Sequence, residues 1–472
     1  MCGIVGIIGT KNVSHEIYRA LLALQHRGQD AAGMLTFDGE EPHLKKGLGL
    51  VNEVFDEKSL KELDGPVGIG HVRYPTIGST STLDAQPFVT YLPYGIGLAH
   101  NGNILNFGEI KRLLSKKYKR KLRSTCDGEE LLKLLAAELG STFDLENVYN
   151  SIENLMNVVN GSYSVVALMT NKGLLGFRDP HAIRPMIFGE KKNGKGYIFA
   201  SESVVLDVLG YRVIKDLEPG EAIFIDRKLR VHSKVIKGDK RKHCFFEWIY
   251  FSRADSVIED ISVYEARLNL GKELAKLWKG KVDMVMPVPD TSIPAAISFS
   301  EETGLRYREG LIKNRYIGRT FIMASQKKRI GAVKDKINPM IREIRDKKLV
   351  MIDDSIVRGT TSRRMVEMLR KAGADEVHLL STCPPLRNPC VYGIDFPTKE
   401  ELVASDKEVE DIRNIIGCDS LIYQTLEGMV KAIGIPKENL CTACLTGQYP
   451  TKISENDIEK FEEMRKKERG EK

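Results

Sequence analysis

The chain has 472 residues, 42% hydrophobic and 29% charged, with 71 Lys and Arg against 64 Asp and Glu for a net charge of +7. That length exceeds one ordinary domain, and no apolar run approaches the ~20 residues of a membrane span, so two or three soluble domains are expected. The modest, dispersed positive charge has few aromatics interleaved with it, which suits anionic small substrates and not nucleic acid.

The chain opens "MCGIVGIIG", an apolar run that reads as a strand with Ile4, Val5, Ile7 and Ile8 in the core. Because Met1-Cys2 leads directly into that strand, no signal peptide is expected. The small Cys2 side chain favours removal of Met1, which would leave a cysteine with a free α-amino group. Such an amine, with a reference pKa of roughly 7.7–8.0, can act as base for its own thiol. A purely structural cysteine explains position 2 as well, so the rest of the chain decides.

Up to about residue 230, short β-rich runs such as "GPVGIGHVRYP", "YGIGLAHNGNI" and "GSYSVVALMTNKGLLGFRD" alternate with turns. Helices are expected near "HEIYRALLALQHRG" and "DGEELLKLLAAELG", the second with Asp127 as N-cap candidate. Strands this dense predict sheets packed face to face with helices outside. In "AHNGNI" the Asn101 side-chain amide and the Gly102 N–H, read at a tight turn, are candidate donors to a developing oxyanion. The bland reading of Asn-Gly is a hairpin turn. Arg73 in "HVRYPT" can grip a carboxylate bidentately and Asp127 can hold an ammonium. With Cys2 they describe a pocket for a free amino acid with a distal amide, which is glutamine.

These motifs, with "LQHRGQDAAG", "GHVRYPTIGSTSTLDAQPF" and "RDPHAIRPM", resemble the class II, N-terminal-nucleophile glutamine amidotransferases over the whole first half. The resemblance implies an αββα sandwich, with Cys2 as nucleophile and Asn101 and Gly102 as the oxyanion hole. Arg73 would bind the glutamine α-carboxylate and Asp127 its α-amino group, while Arg27 and Gly28 fix the N-terminal residue. One departure is "TCDGEE", where Cys126 and Gly128 replace the family's usual hydroxyls while Asp127 and Glu129 remain. That puts the local helix cap in question more than the glutamine contact.

The polar run 234–243, "KVIKGDKRKH", reads as a solvated linker between a first domain (2–233) and a second (244–452). Beyond it, "KVDMVMPVPDTSIPAAISFSEETG" and "KKLVMIDDSIVRGTTSRRMVEMLRKAGADEVHLLS" are strand–loop–helix units, the latter completing a βαβ unit in a parallel sheet. Residues 453–472 are strongly charged and predict a frayed surface helix or a disordered tail. In "VMIDDSIVRGTTS" small and hydroxyl residues opening a helix offer N–H groups and a favourable dipole to a phosphate. The acids Asp353 and Asp354 suit a sugar diol or Mg²⁺. An acid pair followed by a phosphate cradle describes a phosphorylated ribose.

This stretch resembles the signature of the type I phosphoribosyltransferases, which bind 5-phosphoribosyl-1-pyrophosphate (PRPP). The likeness implies an α/β parallel-sheet domain in which Asp353 and Asp354 meet the ribose hydroxyls or one Mg²⁺. Ser355, Arg358, Gly359, Thr360, Thr361 and Ser362 would cradle the 5-phosphate, and Ser292 would approach the metal. Lys313, Arg315 and Arg319, in the mobile-loop match 312–322, would neutralise the departing pyrophosphate.

Eight cysteines clustered toward the C-terminal half are no disulfide framework in a chain this long, and predict metal or cluster ligation in a reducing cytoplasm. Cys441 and Cys444 form a CxxC, and Cys244 and Cys390 can converge on it. Spacing leaves Zn²⁺ and a [4Fe–4S] cluster open. "CFFEWIYFSRADS", "NPCVYGID" and "CTACLTGQYPT" resemble the glutamine phosphoribosylpyrophosphate amidotransferases that carry a [4Fe–4S] cluster, which implies one cluster per subunit. Cys383 competes with Cys390, while Cys126 and Cys418 read as buried thiols.

That resemblance covers essentially the full chain. It implies the first committed step of purine biosynthesis: ammonia from glutamine displaces pyrophosphate from PRPP, giving 5-phosphoribosylamine and glutamate. It further implies a cytoplasmic homo-oligomer (tetramer or dimer), with purine nucleotides as candidate feedback inhibitors. The "VMIDDSIVRGTTS" loop argues against a glucosamine-phosphate synthase or an asparagine synthetase, and intact Cys2, Arg73 and Asn101 argue against a non-catalytic regulator.

Overall fold

Period-two alternation builds the first half. Strand β1 (Gly3–Gly9) sends Ile4 and Ile8 into one apolar layer and Val5 and Ile7 into another. After helix α1 (Ser14–Ala23) come β2 (Ala31–Phe37), β3 (Pro42–Leu48), β4 (Val67–Arg73), β5 (Phe88–Thr90) and β6 (Ile96–Ile104). Helices α2 (Asp127–Glu138) and α3 (Leu145–Val158) follow, then β7 (Gly161–Met169), β8 (Gly173–Arg178), β9 (Ile187–Lys191) and β10 (Gly196–Ala200). β11 (Tyr211–Asp216), β12 (Glu221–Asp226) and β13 (Val231–Val235) complete the set. They form two antiparallel sheets, ordered β11-β9-β10-β1-β4-β2-β3 and β13-β12-β8-β7-β6-β5. Ile4, Ile69, Val166 and Leu168 fill the space between the sheets. α1 covers the outer face of the first, and α2 and α3 cover the outer face of the second. The result is the expected αββα stack. This computed structural model describes residues 2–74, 81–192, 194–314 and 337–468. Arg315, Arg319 and most of the 312–322 segment lie outside them.

The second half carries a parallel sheet whose strands are short and, at its centre, mostly apolar, as burial on both faces requires. β14 (His243–Cys244) stands apart from it. The sheet comprises β15 (Met284–Pro287), β16 (Arg306–Tyr307), β17 (Lys348–Asp353), β18 (Glu376–Ser381) and β19 (Ser420–Tyr423), ordered β16-β15-β17-β18-β19. β14 instead pairs in parallel with β20 (Leu440–Cys441), setting Cys244 opposite Cys441. Helix α4 (Ile293–Thr303) follows β15, and α5 (Thr360–Lys371) joins β17 to β18 with Met365 and Leu369 in the core. Among the described residues no helix is long and apolar enough to cross a membrane.

Four local expectations are corrected. Asn101-Gly102 forms no turn: it lies inside β6, whose antiparallel register against β7 continues through it. Asp127 is the first residue of α2, not its cap. The N-cap is Cys126, without a side-chain cap bond, because the Asp127 carboxylate is drawn to the Ile104 N–H instead. The polar run 234–243 is not linker throughout, since β13 pairs with β12 as far as Val235. The charged tail forms α6 (Glu455–Glu468), with Phe461 and Arg465 buried because Arg465 is ion-paired to Asp395.

Candidate active sites

Cys2 is held at three points. Its backbone nitrogen donates to Asn101 Oδ1 at 3.1 Å, its carbonyl accepts from Arg27 Nε at 3.1 Å, and its thiol lies 3.6 Å from the Tyr74 carbonyl. With Oδ1 so engaged, the other end of the Asn101 amide, Nδ2, is buried without a hydrogen-bond partner. A buried donor left unmade is costly, and it marks a place for an acceptor from outside the chain. Gly102 supplies a second donor through the logic of the sheet. It pairs with Tyr163, but Tyr163 donates its N–H to Asp179 Oδ2 and accepts from the Asp179 N–H, both on the far side of β7. The Gly102–Tyr163 pair is thus of the non-hydrogen-bonded kind, and the Gly102 N–H points away from β7. Gly102 has φ +153°, and a Cβ there would stand 2.0 Å from the Ser162 carbonyl oxygen, so only glycine fits.

Arg27 is fully buried and bridges the two halves. Its guanidinium pairs with Glu202 of the first half and, at 2.9 Å, with Glu247 of the second. Burial alone would weaken its charge, but Glu247 and Glu202 outweigh that and raise its pKa. Burial likewise works against the Glu202 carboxylate, and His26 and Arg27 overcome it to hold the group far below the usual range. Gly28 backs onto the Arg73 backbone, where a Cβ would have no room. Arg73 is buried at the end of β4. Asp127 is buried too. Burial opposes its charge, yet His100, whose Nε2 is 3.4 Å from Oδ1, with the Ile104 N–H and the Cys126 thiol, keeps it below the ordinary carboxylate value. Glu129 sits at N3 of α2 and accepts from the Arg123 and Ser124 N–H groups.

The second constellation lies at the C-terminal end of β17, the usual ligand edge of a parallel sheet. Asp353 and Asp354 line a cavity of about 410 Å³ with Ser355, Gly359 and Thr360. Burial and then the neighbouring Asp354 push the Asp353 carboxyl well up, and burial likewise raises Asp354 despite hydroxyls from Ser355 and Thr291. Gly359, at φ +72°, turns the chain into α5, so Thr360, Thr361 and Ser362 form its first turn. Three of the expected residues also meet partners within the chain, and one of them, Arg358, lines the same cavity. The Ser292 hydroxyl donates to the Val288 carbonyl, and Thr291 meets Asp354 instead. Arg358 is forked onto Glu401 at 2.9 Å, and Lys313 pairs with Asp290 at 2.7 Å.

One residue belongs to both sites. Tyr74, whose carbonyl meets the Cys2 thiol, also lines the acid-pair cavity, along with Phe246, Tyr250 and Phe251. Its hydroxyl donates to Asp395 at 3.1 Å.

Cys244, Cys390, Cys441 and Cys444 are buried free thiols in one apolar cluster, which also contains Cys383. Burial pushes Cys244 up to about 11 and raises Cys441 and Cys444 further. The fully buried Arg184 is raised by Cys244, Cys390, Glu247 and Cys441 acting against its desolvation, which places its charge among them. Among the described residues no three His, Cys, Asp or Glu side chains stand as a ready-made site for a single metal ion. Sequence reasoning missed Glu202, Glu247, His100, Thr291 and Tyr74. The pairings Arg27–Glu202 and Arg27–Glu247 span 175 and 220 residues, and no local pattern encodes them.

A family model described as a glutamine amidotransferase domain matches residues 71–208. An amidophosphoribosyltransferase of Methanothermobacter thermautotrophicus is 47% identical over 98% of this chain and 97% of its own length. One of Pseudomonas aeruginosa is 44% identical over 98% and 96%. Among solved structures, a glutamine PRPP amidotransferase from B. subtilis, complexed with ADP and GMP, superposes with a TM-score of 0.88 at 40% identity, over 96% of this chain and 98% of that one. A structure described as the allosteric regulatory enzyme of purine biosynthesis gives 0.89 at 40% identity, covering 97% of each.

Proposed function

The chain belongs to the amidophosphoribosyltransferase family, and from that premise we propose how its own residues run the reaction. The enzyme takes ammonia from glutamine and transfers it to PRPP, yielding 5-phosphoribosylamine, glutamate and pyrophosphate for purine biosynthesis. Once Met1 is removed, the Cys2 thiol attacks the glutamine amide carbon and its own α-amino group accepts the thiol proton. Asn101 Nδ2 and the Gly102 N–H take the oxyanion, and the C–N bond breaks as the proton passes to the leaving ammonia. Water then hydrolyses the γ-glutamyl thioester to glutamate and free Cys2. Arg73 holds the substrate α-carboxylate, Asp127 its ammonium, and Arg27 the Cys2 carbonyl.

The observation that carries this reading is the shared position of Tyr74, with its carbonyl on the nucleophile and its side chain in the acid-pair cavity. Ammonia in bulk water at neutral pH is mostly protonated and no longer a nucleophile. In this reading ammonia passes Tyr74 from Cys2 into the acid-pair cavity, where the aromatic walls of Phe246, Tyr250 and Phe251 would keep it from bulk water until it meets C1 of the ribose. Asp353 and Asp354 accept from the ribose diol, and the first turn of α5 takes the 5-phosphate.

Two cofactors fit the residues present. Asp353, pushed up by burial and by Asp354, and Asp354, pushed up by burial, would hold one hard divalent cation, and Mg²⁺ there would supply charge to offset the pyrophosphate. Cys244, Cys390, Cys441 and Cys444, buried free thiols of one cluster, are soft donors that would hold one [4Fe–4S] cluster, which would clamp the segments that carry them. Anaerobically purified protein is expected to hold roughly four iron and four sulfide per chain, lost together on Cys390→Ser. Zinc in their place would discard the cluster. Purine nucleotides are the proposed feedback ligands, supported by the ADP and GMP of the B. subtilis relative.

The reading is tested by following glutamate and pyrophosphate release with Mg²⁺, omitting glutamine or PRPP in turn. Equal release of both products is expected, with little glutamine hydrolysis when PRPP is absent. Glutamate without pyrophosphate would refute the coupled scheme.

A further inference from the structure

The candidate oxyanion strand is held from outside its own domain. Residues 391–393 of the second half run past β6 and its neighbour β7, and each of the three makes a contact there. Asn103 Nδ2 donates to the Val391 carbonyl at 2.7 Å. The Ser162 hydroxyl, from the neighbouring β7, donates to the Tyr392 carbonyl at 2.8 Å, and Arg184 Nε donates to the same oxygen at 2.8 Å. Gly393 then packs directly against Gly102. A Cβ on Gly393 would stand 3.2 Å from both the Gly102 carbonyl carbon and its oxygen, and 3.5 Å from its Cα. Gly393 has φ +106°, which L side chains rarely adopt.

Gly102 is thus gripped on two sides, by the Ser162 carbonyl within its own sheet and by Gly393 from the other half. An oxyanion donor works only where its N–H is aimed before charge develops, and small displacements are expensive. Within a sheet, register holds a strand lengthwise, whereas tilt of a single peptide plane about the strand axis is checked by what packs above and below it.

We propose that Gly393, with the Val391 and Tyr392 carbonyls, is a positioning element for the Gly102 peptide, so that the glutaminase site is complete only with the second half docked. Gly393 touches no substrate and acts through Gly102. The inference rests on the assignment of Cys2, Asn101 and Gly102 as the glutamine-cleaving groups.

The test uses the full-length enzyme and two substitutions, Gly393→Ala and Ser162→Ala. Gly393→Ala is expected to lower kcat with glutamine by about 10- to 100-fold and to leave the glutamine KM and ammonia-dependent turnover within about twofold. Ser162→Ala, which removes one of the two bonds to the Tyr392 carbonyl, should shift kcat the same way by about threefold. A second readout separates aim from mere folding. Glutamate γ-semialdehyde forms a tetrahedral adduct with a nucleophilic thiol, and its inhibition should weaken in Gly393→Ala in step with kcat, while product inhibition by glutamate stays unchanged. Equal loss of glutamine- and ammonia-dependent turnover would overturn the proposal, as would unchanged kcat in both variants. If Cys2→Ala retains glutamine-dependent turnover, the underlying assignment fails. If it loses that turnover while Gly393→Ala behaves as the parent, only this inference fails.

Discussion

Cys2→Ala is expected to lower glutamine-dependent turnover by on the order of 10⁴-fold or more and to leave ammonia-dependent turnover within about twofold of the parent enzyme. The split follows from where the thiol sits. In the proposed reaction it is the attacking atom of the first site, yet it would bear on the second only through its contact with the Tyr74 carbonyl. Removing one sulfur from a buried, well-anchored position leaves Asn101 Oδ1 on the backbone nitrogen and Arg27 on the carbonyl, so the surrounding geometry has no reason to collapse. Initial rates with glutamine and with ammonium chloride, each against PRPP and Mg²⁺, measure it. Parallel loss of both activities would contradict two separable sites.

Asp353→Asn is expected to show the complementary pattern, with both turnovers falling together by about 10²–10³-fold because the loss lies where both nitrogen sources converge. It should also make the cation-free protein more stable. Burial first, and Asp354 second, raise the Asp353 carboxyl well above its ordinary value. A carboxyl with a raised folded pKa gives its full stabilisation below the unfolded value, near 3.8 for this group, and that contribution is lost as pH climbs through the folded value. At about pH 8 the parent therefore bears a strained, repelling pair that asparagine relieves, while at about pH 4 the two proteins should match. Thermal melts without divalent cation should place Asp353→Asn higher by about 2 °C or more at the upper pH. Adding Mg²⁺ should raise the Tm of the parent and not of the variant. A variant that melts lower at pH 8 would refute the picture of an acid pair strained until it binds.

The parts of the molecule legible in the sequence are those whose signal is local. Alternation within β1 and β7 separates residues of the inter-sheet layer from those facing helices, and the 348–381 stretch spells its βαβ unit in order. Cys2, Asn101, Arg73 and the aspartates stand out because chemistry demands particular residue types in short motifs. What failed was decided by distant partners. Asn-Gly reads as a turn until Tyr163 is seen opposite Gly102 in an unbroken register. Asp127 reads as a cap until His100 and the Ile104 N–H compete for its carboxylate. The charged tail reads as frayed until Asp395 and the Lys399 N–H meet Arg465 and Glu462.

Arg27 also bears on how such a protein can be inherited. Two catalytic halves invite the idea of cassettes that gene fusion could shuffle among partners. Here a guanidinium from the first thirty residues is neutralised in part by Glu247 from the other cassette, with both side chains almost wholly shielded from water. Stranding one member of a buried ion pair costs about 3–5 kcal/mol, a large share of the stability of an ordinary domain. A recombinant that took the second half alone would carry Glu247 without Arg27, and one that took the first alone would leave Arg27, which holds the Cys2 carbonyl, with Glu202 as its one remaining acidic partner of the two. The two cassettes are therefore costly to part, because Glu247 answers to two buried arginines of the first half, Arg27 and Arg184.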